Sequence, residues 1–374
     1  MLQPAPATPG MPVDEIDTPA LVLDLDAFEH NLATMQRLLE GTGAKLRAHT
    51  KTHKSAVVAH AQARHGAIGQ CTQKVAEAEA LVWGGVGNVL VTNQIVGRSK
   101  LARLAALAKV AEVGLCADDI AHVVAAEQAA EAAGVRLKML VEIEVGSGRC
   151  GVQPGEAAVA LAERIAASKH LVFGGLQAYH GRAQHFATWA ERSAAIAGAV
   201  ESTRRTVDQL RQHGLPPAIV GGAGSGSFVI EAKSGVFNEV QAGSYVFMDS
   251  DYARIEGPDG AKGLPFRQSL FVLATVISQP RKDFAVLDTG HKALPLGWGY
   301  PAIEGRADLK VVSQSDEHAN VAMDSGGQGL AIGDKVKVVP THCDPTVDRY
   351  DWYVGVRGGR VESVWPIAAR GAMR

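Results

Sequence analysis

The chain of 374 residues carries 37 basic and 39 acidic side chains, which gives a formal net charge of -2. This balance, without a basic block, argues against a nucleic-acid or membrane-surface partner, and no apolar run reaches the roughly 18 residues of a membrane span. The four cysteines lack the paired spacing of a disulfide framework, so we expect reduced thiols in a cytoplasmic protein.

The first residues, 1–12, are Pro-rich and are predicted to form a flexible tail, because they have no basic start and no apolar signal core. From residue 20, short apolar runs alternate with Ala-rich amphipathic segments. The predicted strands are 20–25, 46–51, 67–72, 87–92, 112–117, 137–145, 171–179, 217–222 and 238–243. The predicted helices between them include 73–83, 97–110, 118–133, 154–168 and 187–213.

Without the first strand, eight strands alternate with helices over about 230 residues, close to the size of a (β/α)8 barrel. A TIM-like α/β barrel is therefore the predicted fold of this part of the chain. An open doubly wound sheet is the alternative, but no GxGxxG motif follows a first strand to favour a dinucleotide-binding fold.

From residue 268 onward, Val- and Leu-rich runs separated by Gly, Pro and Asp turns predict a β domain. The predicted strands here are 269–277, 284–288, 309–313, 334–340, 351–356 and 361–365. We therefore expect a barrel at 20–255, followed by a C-terminal and mainly antiparallel β domain at 256–374. Residues 1–19 are expected to be a tail plus a strand that joins the β domain.

A lysine follows the first predicted barrel strand, within the run 46–54 (Leu-Arg-Ala-His-Thr-Lys-Thr-His-Lys). A lysine at the mouth of a barrel strand can hold an aldehyde cofactor as a Schiff base, whereas the alternative is a solvated basic turn. Polar residues also follow the other strands, and such a ring at one mouth predicts an active site there. They are Gln73 with Lys74, Asn93, Asp118, Arg149, Tyr179 with His180, the loop 221–227 and Gln241 to Tyr245.

Two Gly-rich turns follow the seventh and eighth barrel strands. The first is 221–227 (Gly-Gly-Ala-Gly-Ser-Gly-Ser) and the second is 241–244 (Gln-Ala-Gly-Ser). Glycines let backbone N–H groups approach an anion closely, and barrels often hold phosphate between these two loops. A single Gly-rich loop is usually only a turn, but the pair at this place predicts phosphate binding.

The run 340–346 (Pro-Thr-His-Cys-Asp-Pro-Thr) in the β domain is a candidate metal motif. In extended chain, His342 and Asp344 face the same way and can share one ligand, while Cys343 faces away. An imidazole with a carboxylate suits Zn²⁺, Mn²⁺ or Mg²⁺. The alternative is a capped turn with an ordinary His–Asp hydrogen bond, since two ligands make a thin metal site.

Six short motifs together resemble the D-threonine aldolase group of the alanine-racemase-like pyridoxal-phosphate (PLP) enzymes. The resemblance runs from about residue 16 to the C-terminus, with the motifs in order. They are 17–24 (Asp-Thr-Pro-Ala-Leu-Val-Leu-Asp), 49–54 (His-Thr-Lys-Thr-His-Lys), 148–152 (Gly-Arg-Cys-Gly-Val), 176–181 (Leu-Gln-Ala-Tyr-His-Gly), 241–245 (Gln-Ala-Gly-Ser-Tyr) and 342–346 (His-Cys-Asp-Pro-Thr). The stretch 293–300 matches less well, and side-chain specificity therefore stays open.

The resemblance implies a role for each candidate residue. Lys51, rather than Lys54, is the implied Schiff-base lysine, with His180 against the pyridine ring and Arg149 near the phenolic oxygen. His185 is implied to take the proton from the substrate hydroxyl. The implied cofactor-binding set is Lys51, Gln73, Tyr179, His180, Gly224, Ser225, Gln241, Gly243 and Ser244, with Gln241 at the ring nitrogen and Ser225, Gly243 and Ser244 at the phosphate; the implied metal ligands are His342 and Asp344.

The implied reaction is the PLP- and metal-dependent retro-aldol cleavage of a D-3-hydroxy amino acid to glycine and an aldehyde, with a substrate of the D-threonine or 3-hydroxyaspartate type. A D-serine or 3-hydroxyaspartate dehydratase, which releases a 2-oxo acid and ammonia, is the alternative. Related dehydratases resemble this chain but carry cysteine at the position of Asp344, which favours the aldolase and favours Mn²⁺ or Mg²⁺ over Zn²⁺.

Two non-aldolase alternatives remain, a non-catalytic PLP-binding barrel and a barrel that binds a phosphorylated sugar. The β domain argues against the first, because non-catalytic PLP-binding proteins resemble a single barrel. By resemblance we also expect a homodimer that acts on a small amino acid.

Overall fold

The structure is a computed structural model that describes residues 3–297, 299–324 and 329–374. The strands are β1 (Ala20–Asp24), β2 (Lys45–His49), β3 (Gly69–Thr72), β4 (Asn88–Gln94), β5 (Glu112–Ala117), β6 (Leu137–Glu142), β7 (Leu171–Ala178), β8 (Ile219–Gly222), β9 (Glu239–Val240), β10 (Leu270–Arg281), β11 (Phe284–Leu287), β12 (Ala302–Ile303), β13 (Leu309–Gln314), β14 (Ala319–Met323), β15 (Lys335–Val339), β16 (Trp352–Arg357) and β17 (Arg360–Pro366). The helices are α1 (Leu25–Leu39), α2 (Ala56–Arg64), α3 (Val75–Trp83), α4 (Arg98–Leu107), α5 (Ile120–Ala133), α6 (Glu156–Ala166), α7 (Trp189–Gln212), α8 (Phe228–Ala232), α9 (Ser250–Ala253) and α10 (Cys343–Val347).

Eight parallel strands, β2 to β9, close into a barrel in chain order, which confirms the predicted barrel. Side chains alternate across the wall of the barrel, as the period of a strand requires. In β6, Met139 and Val141 belong to the apolar cluster shared with the surrounding helices, whereas Leu140 belongs to a separate buried cluster. That second cluster consists of Cys71, Leu90, Cys116, Leu140 and Ile219. The inside of the barrel is thus a packed core, and ligands are left to its mouth.

The second domain is a nine-stranded sheet in the order β11-β14-β13-β12-β15-β10-β1-β16-β17, which confirms the predicted C-terminal β domain. Most of its pairs are antiparallel, but β1 runs parallel to β16, with Val22 opposite Val354. Gly10 also donates its N–H to the carbonyl of Val361 at 2.8 Å, so the segment before β1 pairs with the edge strand.

The strand at residues 20–24 differs from the predicted boundaries, which gave it to the barrel unit. It is hydrogen-bonded between β10 and β16 inside the second sheet. The chain therefore begins in the sheet, builds the barrel and returns to the sheet. The division of the chain at residue 255 stays a prediction.

The two domains meet around the turn that follows β2. Tyr353 in β16 donates its hydroxyl to the carbonyl of His53 at 2.7 Å, and Ala369 donates its N–H to the carbonyl of Lys54 at 3.0 Å. The sheet domain is therefore anchored beside the lysine turn, and helix α10 lies close to the barrel mouth. Within the described ranges, no helix is long and apolar enough to cross a membrane.

Candidate active site

A cavity of about 520 Å³ opens at the carboxyl ends of the barrel strands. It is lined by the ten predicted site residues Lys51, Gln73, Arg149, Tyr179, His185, Gly224, Ser225, Gln241, Gly243 and Ser244. The predicted residues His180, His342 and Asp344 are not part of this lining. A volume of this size suits a cofactor together with a small substrate.

Lys51 lies in a short 3-10 helix, Thr50–Thr52, directly after β2. Its ammonium group forms an ion pair with the carboxylate of Asp344, which comes from the sheet domain. Burial alone lowers the pKa of Lys51, but the Asp344 carboxylate outweighs burial and raises it. In return, the charges of Lys51 and His342 overcome the effect of burial and hold the pKa of Asp344 well below its usual range. The two groups therefore keep each other charged.

The loops after β8 and β9 form a cradle for an anion. A Cβ atom on Gly243 would lie 2.6 Å from Thr52 Oγ1 and 2.8 Å from the carbonyl oxygen of His49, so no side chain fits there. Ser225 Oγ accepts the N–H of Tyr245 at 2.9 Å and ties the two loops together. Within the described residues, no hydrogen-bond acceptor occupies the backbone N–H groups of Ser225, Gly243 and Ser244. Buried donors without acceptors at a cavity wall suit a phosphate group.

Two side-chain amides that line the cavity are hydrogen-bonded to each other. Gln177 Nε2 donates to Gln241 Oε1 at 2.7 Å, and Gln241 Nε2 donates to Gln177 Oε1 at 2.8 Å. Both side chains are buried. This pair presents a neutral polar group at the end of the strand that the sequence analysis assigned to a ring nitrogen.

Arg149 also lines the cavity, with its guanidinium 5.7 Å from the centroid of the Tyr179 ring. It also lies 3.6 Å from a carboxylate oxygen of Glu142, a buried residue at the end of β6. Burial raises the pKa of Glu142, although Gln94 and Arg149 partly offset the shift. Arg149 is thus held by a stacking contact and an ion pair.

His185 ends a second 3-10 helix, Arg182–His185. Its Nδ1 lies 2.5 Å from Oδ2 of Asp251, whose side chain is only 1% exposed. Arg254 donates to the other oxygen of the same carboxylate at 2.7 Å. Burial raises the pKa of Asp251, but His185 and Arg254 together lower it below its usual value. Asp251 is therefore an ionised acceptor that orients the His185 ring.

His180 is not brought to the cavity with the other predicted residues. Its ring packs edge-on against Phe186, with centroids 6.4 Å apart and an interplanar angle of 72°. Its Nδ1 accepts the N–H of Ala183 at 3.3 Å, and its ring also lies where a side chain on Gly146 would stand. The predicted stacking of His180 on a cofactor ring stays a prediction.

The expected extended conformation at 342–344 is wrong. His342 is extended, but helix α10 begins at Cys343, and the chain turns there. Asp344 therefore reaches Lys51, while Cys343, expected to face away, donates its N–H to Asp249 Oδ2 at 3.1 Å. In a continuous strand, Cys343 would point to the face opposite that of His342 and Asp344.

Asp249, His342 and Cys343 form a group of possible metal ligands. His342 Nδ1 lies 3.2 Å from Asp249 Oδ2, and the ligand atoms of the three residues lie within 4.8 Å of one another. Imidazole, carboxylate and thiol groups are all ligands for divalent transition metals. Asp249 was not predicted from the sequence, although an Asp-x-Asp pair (249–251) soon after the last barrel strand is a signal for such a role.

Known proteins with similar sequences and folds agree with these features. Residues 23–251 match the family described as alanine racemase, N-terminal domain, and residues 269–356 match one described as putative serine dehydratase domain. The chain is 44% identical to a 3-hydroxy-D-aspartate aldolase of Paracoccus denitrificans (strain Pd 1222), over 98% of this chain and 95% of the relative.

Two further proteins are similar at different levels of sequence identity. The crystal structure of a D-threonine aldolase from Filomicrobium marinum matches with a TM-score of 0.95 and 45% identity, over 99% of this chain and 100% of that one. A more distant relative, the D-threo-3-hydroxyaspartate dehydratase of Delftia sp. (strain HT23), is 27% identical over 94% of this chain and 97% of its own length.

Proposed function

The chain belongs to the alanine-racemase-like family that contains the 3-hydroxy-D-aspartate and D-threonine aldolases, and we propose that it cleaves a D-3-hydroxy amino acid to glycine and an aldehyde. It is thus an aldehyde-lyase with a small amino acid as substrate. The observation that carries the proposal is one cavity in which Lys51, an anion cradle and the His185–Asp251 pair meet.

Pyridoxal phosphate fits this cavity because the cavity offers an amine and hydrogen-bond donors for its groups. Lys51 would supply the amine, and the backbone N–H groups of Ser225, Gly243 and Ser244 would bind the phosphate. Gln241 would face the ring nitrogen and Arg149 the phenolic oxygen. When bound, this cofactor supplies an aldehyde that links to amines and a ring that accepts the electrons of the broken Cα–Cβ bond.

A divalent metal fits the group beside α10. His342 and Asp344 would hold it, with the Asp249 carboxylate within reach of His342. Such an ion acts as a Lewis acid that lowers the pKa of a bound hydroxyl. We propose Mn²⁺ or Mg²⁺ rather than Zn²⁺, because the Asp344 and Asp249 carboxylates suit harder ions, whereas a Cys343 thiolate ligand would favour Zn²⁺.

His185 is the proposed base for the substrate hydroxyl. An ionised Asp251 can only accept a hydrogen bond, so the proton of the neutral ring resides on Nδ1. The lone pair is then on Nε2, the nitrogen that faces away from Asp251. Nε2 removes the proton from the hydroxyl on Cβ, either directly or through one water, as the Cα–Cβ bond breaks.

Dehydration is the second candidate, and a specific observation favours it. Residues 269–356 match the putative serine dehydratase domain, and the Cys343 thiol lies among the possible metal ligands. In that reaction the hydroxyl leaves and the Cα–Cβ bond stays intact. The Lys51–Asp344 ion pair supports the aldolase. Asp344 gives the site a carboxylate at the position where related dehydratases look to carry cysteine.

The products distinguish the two reactions. We would supply the protein with PLP and Mn²⁺, add D-threonine or 3-hydroxy-D-aspartate, and quantify glycine against 2-oxo acid plus ammonia. Glycine in a one-to-one ratio with acetaldehyde or glyoxylate, lost on chelation and restored by Mn²⁺, supports the proposal. A 2-oxo acid with ammonia would contradict it and leave the dehydratase.

We also propose a homodimer in the cytoplasm. The support is the family resemblance, in which the β domain of one subunit approaches the barrel mouth of the other, together with the cysteine pattern. Trp298 belongs to the stretch 293–300, on which side-chain specificity depends, and lies outside the described residues. Sedimentation velocity of the holoenzyme tests the dimer, and a monomer at micromolar concentration would contradict it.

A further inference from the structure

The charged residues on the wall of the cavity are all basic. The described lining includes Lys51, Arg149 and Arg182 but no Asp or Glu residue. Lys51 is paired with Asp344, and Arg149 lies near Glu142. No described acceptor forms a hydrogen bond or ion pair with the Arg182 guanidinium. Among the described residues, Arg182 is thus a positive charge at the cavity without a counter-ion.

Arg182 and His185 are placed together by their helix. They are the first and last residues of the 3-10 helix Arg182–His185, and both line the cavity. A 3-10 helix has three residues per turn, so side chains three apart lie above one another on one face. The N–H of Gly181 binds Ser147 Oγ at 2.8 Å, which fixes the start of this helix against the neighbouring loop.

We propose that Arg182 selects substrates with an acidic side chain by binding the carboxylate on Cβ. This inference rests on the proposed function, in which His185 takes the proton from the hydroxyl on the same carbon. The remaining substituent of Cβ is a carboxylate in 3-hydroxyaspartate and a methyl group in threonine. A guanidinium binds a carboxylate through two parallel hydrogen bonds and gains nothing from a methyl group.

The preferred substrate is therefore a dicarboxylate of the 3-hydroxy-D-aspartate type. The cavity suits such an anion, because no described acidic residue of its lining repels a second carboxylate. The alternative is that Arg182 binds the α-carboxylate, which every amino acid carries. In that case its loss would weaken both kinds of substrate equally, and the experiment separates the two arrangements.

The test compares the holoenzyme with its Arg182→Gln and Arg182→Lys variants. We expect the ratio of kcat/KM for 3-hydroxy-D-aspartate to kcat/KM for D-threonine to fall roughly 10- to 100-fold in R182Q, the effect of one charged hydrogen bond. R182K keeps the positive charge but lacks the two parallel N–H donors, so its ratio should lie between those of R182Q and the unmodified enzyme. An unchanged ratio in R182Q overturns the inference.

The matched control is Arg205→Gln, on the exposed surface of α7 and outside the cavity lining. It removes the same charge from the molecule, and its ratio should equal that of the unmodified enzyme. A ratio that falls as far in R205Q as in R182Q would point to the overall charge and overturn the assignment to Arg182.

A binding measurement separates this inference from the proposed function. D-Aspartate has the Cβ carboxylate but no hydroxyl to deprotonate, and D-2-aminobutyrate has a methyl group in its place. Calorimetric titration of the holoenzyme should give tighter binding of D-aspartate than of D-2-aminobutyrate. The R182Q substitution should weaken the binding of D-aspartate roughly 10-fold or more relative to that of D-2-aminobutyrate. Equal weakening of both overturns the inference. If neither hydroxy amino acid is cleaved but D-aspartate still depends on Arg182, the proposed function fails and the carboxylate site stands.

Discussion

The proposed base depends on a residue that never touches the substrate. Asp251 is buried, accepts from His185 at 2.5 Å and is itself held by Arg254 at 2.7 Å. Such a carboxylate fixes both the orientation and the tautomer of an imidazole, as in other histidine-based sites. Asp251 is therefore a positioning residue for His185.

We predict that Asp251→Asn lowers kcat roughly 10- to 100-fold, a part of the 10²- to 10⁴-fold that a positioned base contributes. KM should change little, because Asp251 does not line the cavity. Steady-state kinetics with the preferred substrate give both values. Asp208→Asn, on the exposed surface of α7, is the control and should behave like the unmodified enzyme. A D251N variant with a changed KM and an unchanged kcat would contradict the positioning role.

The buried carboxyl of Glu231 in α8 makes the stability of the protein depend on pH. Burial raises the pKa of its carboxyl to about 7, against the weaker effect of the hydrogen bond from Ser227 at 3.0 Å. One of its oxygens is buried without a partner among the described residues. The folded protein therefore binds this proton more tightly than the unfolded chain, whose pKa is near 4.5. The stability from this group is fully present below about pH 4.5 and is lost as the pH rises through about 7.

We expect Glu231→Gln to remove this pH dependence. Between pH 5 and pH 8, the free energy of unfolding of the unmodified protein should fall by about 2–3 kcal/mol relative to E231Q, since one pKa unit corresponds to about 1.4 kcal/mol. Urea unfolding at several pH values measures this difference. Glu201→Gln, on exposed surface, should run parallel to the unmodified protein. If the free energy of unfolding of E231Q has the same pH dependence as that of the unmodified protein, the raised pKa is contradicted.

The site residues that directly follow barrel strands are predictable from the sequence, because the ends of parallel strands converge in any such barrel. Lys51, Ser225 and Gly243 were predicted in this way, and all three line one cavity. Asp249 and Asp251 were not, since their partners His342 and His185 lie 93 and 66 residues away along the chain. The packing of the two domains brings Asp249 and His342 together, whereas Asp251 and His185 meet within the barrel part of the chain.

At the level of elements, the turn after β2 is joined to two helices by one buried lysine. Lys54 Nζ lies 2.9 Å from Glu77 in α3 and 3.0 Å from Asp348, directly after α10. Glu77 also accepts the N–H of Gln73 at 2.8 Å. This network therefore connects the cofactor lysine turn, the loop that carries Gln73 and the helix that carries Asp344.

Removal of Lys54 should leave two carboxylates without their common partner. We predict that Lys54→Met lowers the free energy of unfolding by about 3 kcal/mol, as the loss of one member of a buried ion pair does. Lys138→Met is the control, because Lys138 pairs with the more exposed Glu112 and should cost about 0–1 kcal/mol. Chemical denaturation measures both variants. Equal effects in K54M and K138M would contradict a structural role for the network.

The elements also mark where local patterns stop being informative. The prediction of β5 at 112–117 matches the observed strand, because its apolar run is bounded by clear helices. Helix α1 was not predicted, although Asp24 caps it by accepting the N–H of Ala27 at 3.0 Å. At 340–346 the pattern favoured extended chain, yet α10 begins at Cys343 because Asp249 binds its N–H from the other domain.

The whole molecule is organised around a strand that comes before the barrel. β1 lies between β10 and β16 in the second sheet, so residues 256–374 do not contain all of the strands of that sheet. Sequence could not reveal this arrangement, because a short apolar run pairs equally well in a barrel or in a sheet. The eight barrel strands, in contrast, are adjacent in chain order and were recognisable by alternation alone.

We predict that a fragment of residues 256–374 does not fold alone, because the gap left by β1 separates β16 and β17 from the rest of the sheet. The same fragment joined through a flexible linker to residues 3–24 should regain a cooperative transition. Circular dichroism with urea denaturation compares the two fragments. Cooperative unfolding of residues 256–374 without β1 would contradict this role of the strand.

The account as a whole depends on Lys51 as the residue that carries the cofactor in this cavity. The most direct measurement is to incubate the protein with pyridoxal phosphate, reduce it with borohydride, digest it and locate the added mass by mass spectrometry. The account predicts the pyridoxyl group on Lys51, with none on the buried Lys54. Modification of Lys54 or of a surface lysine, with Lys51 unmodified, would contradict it.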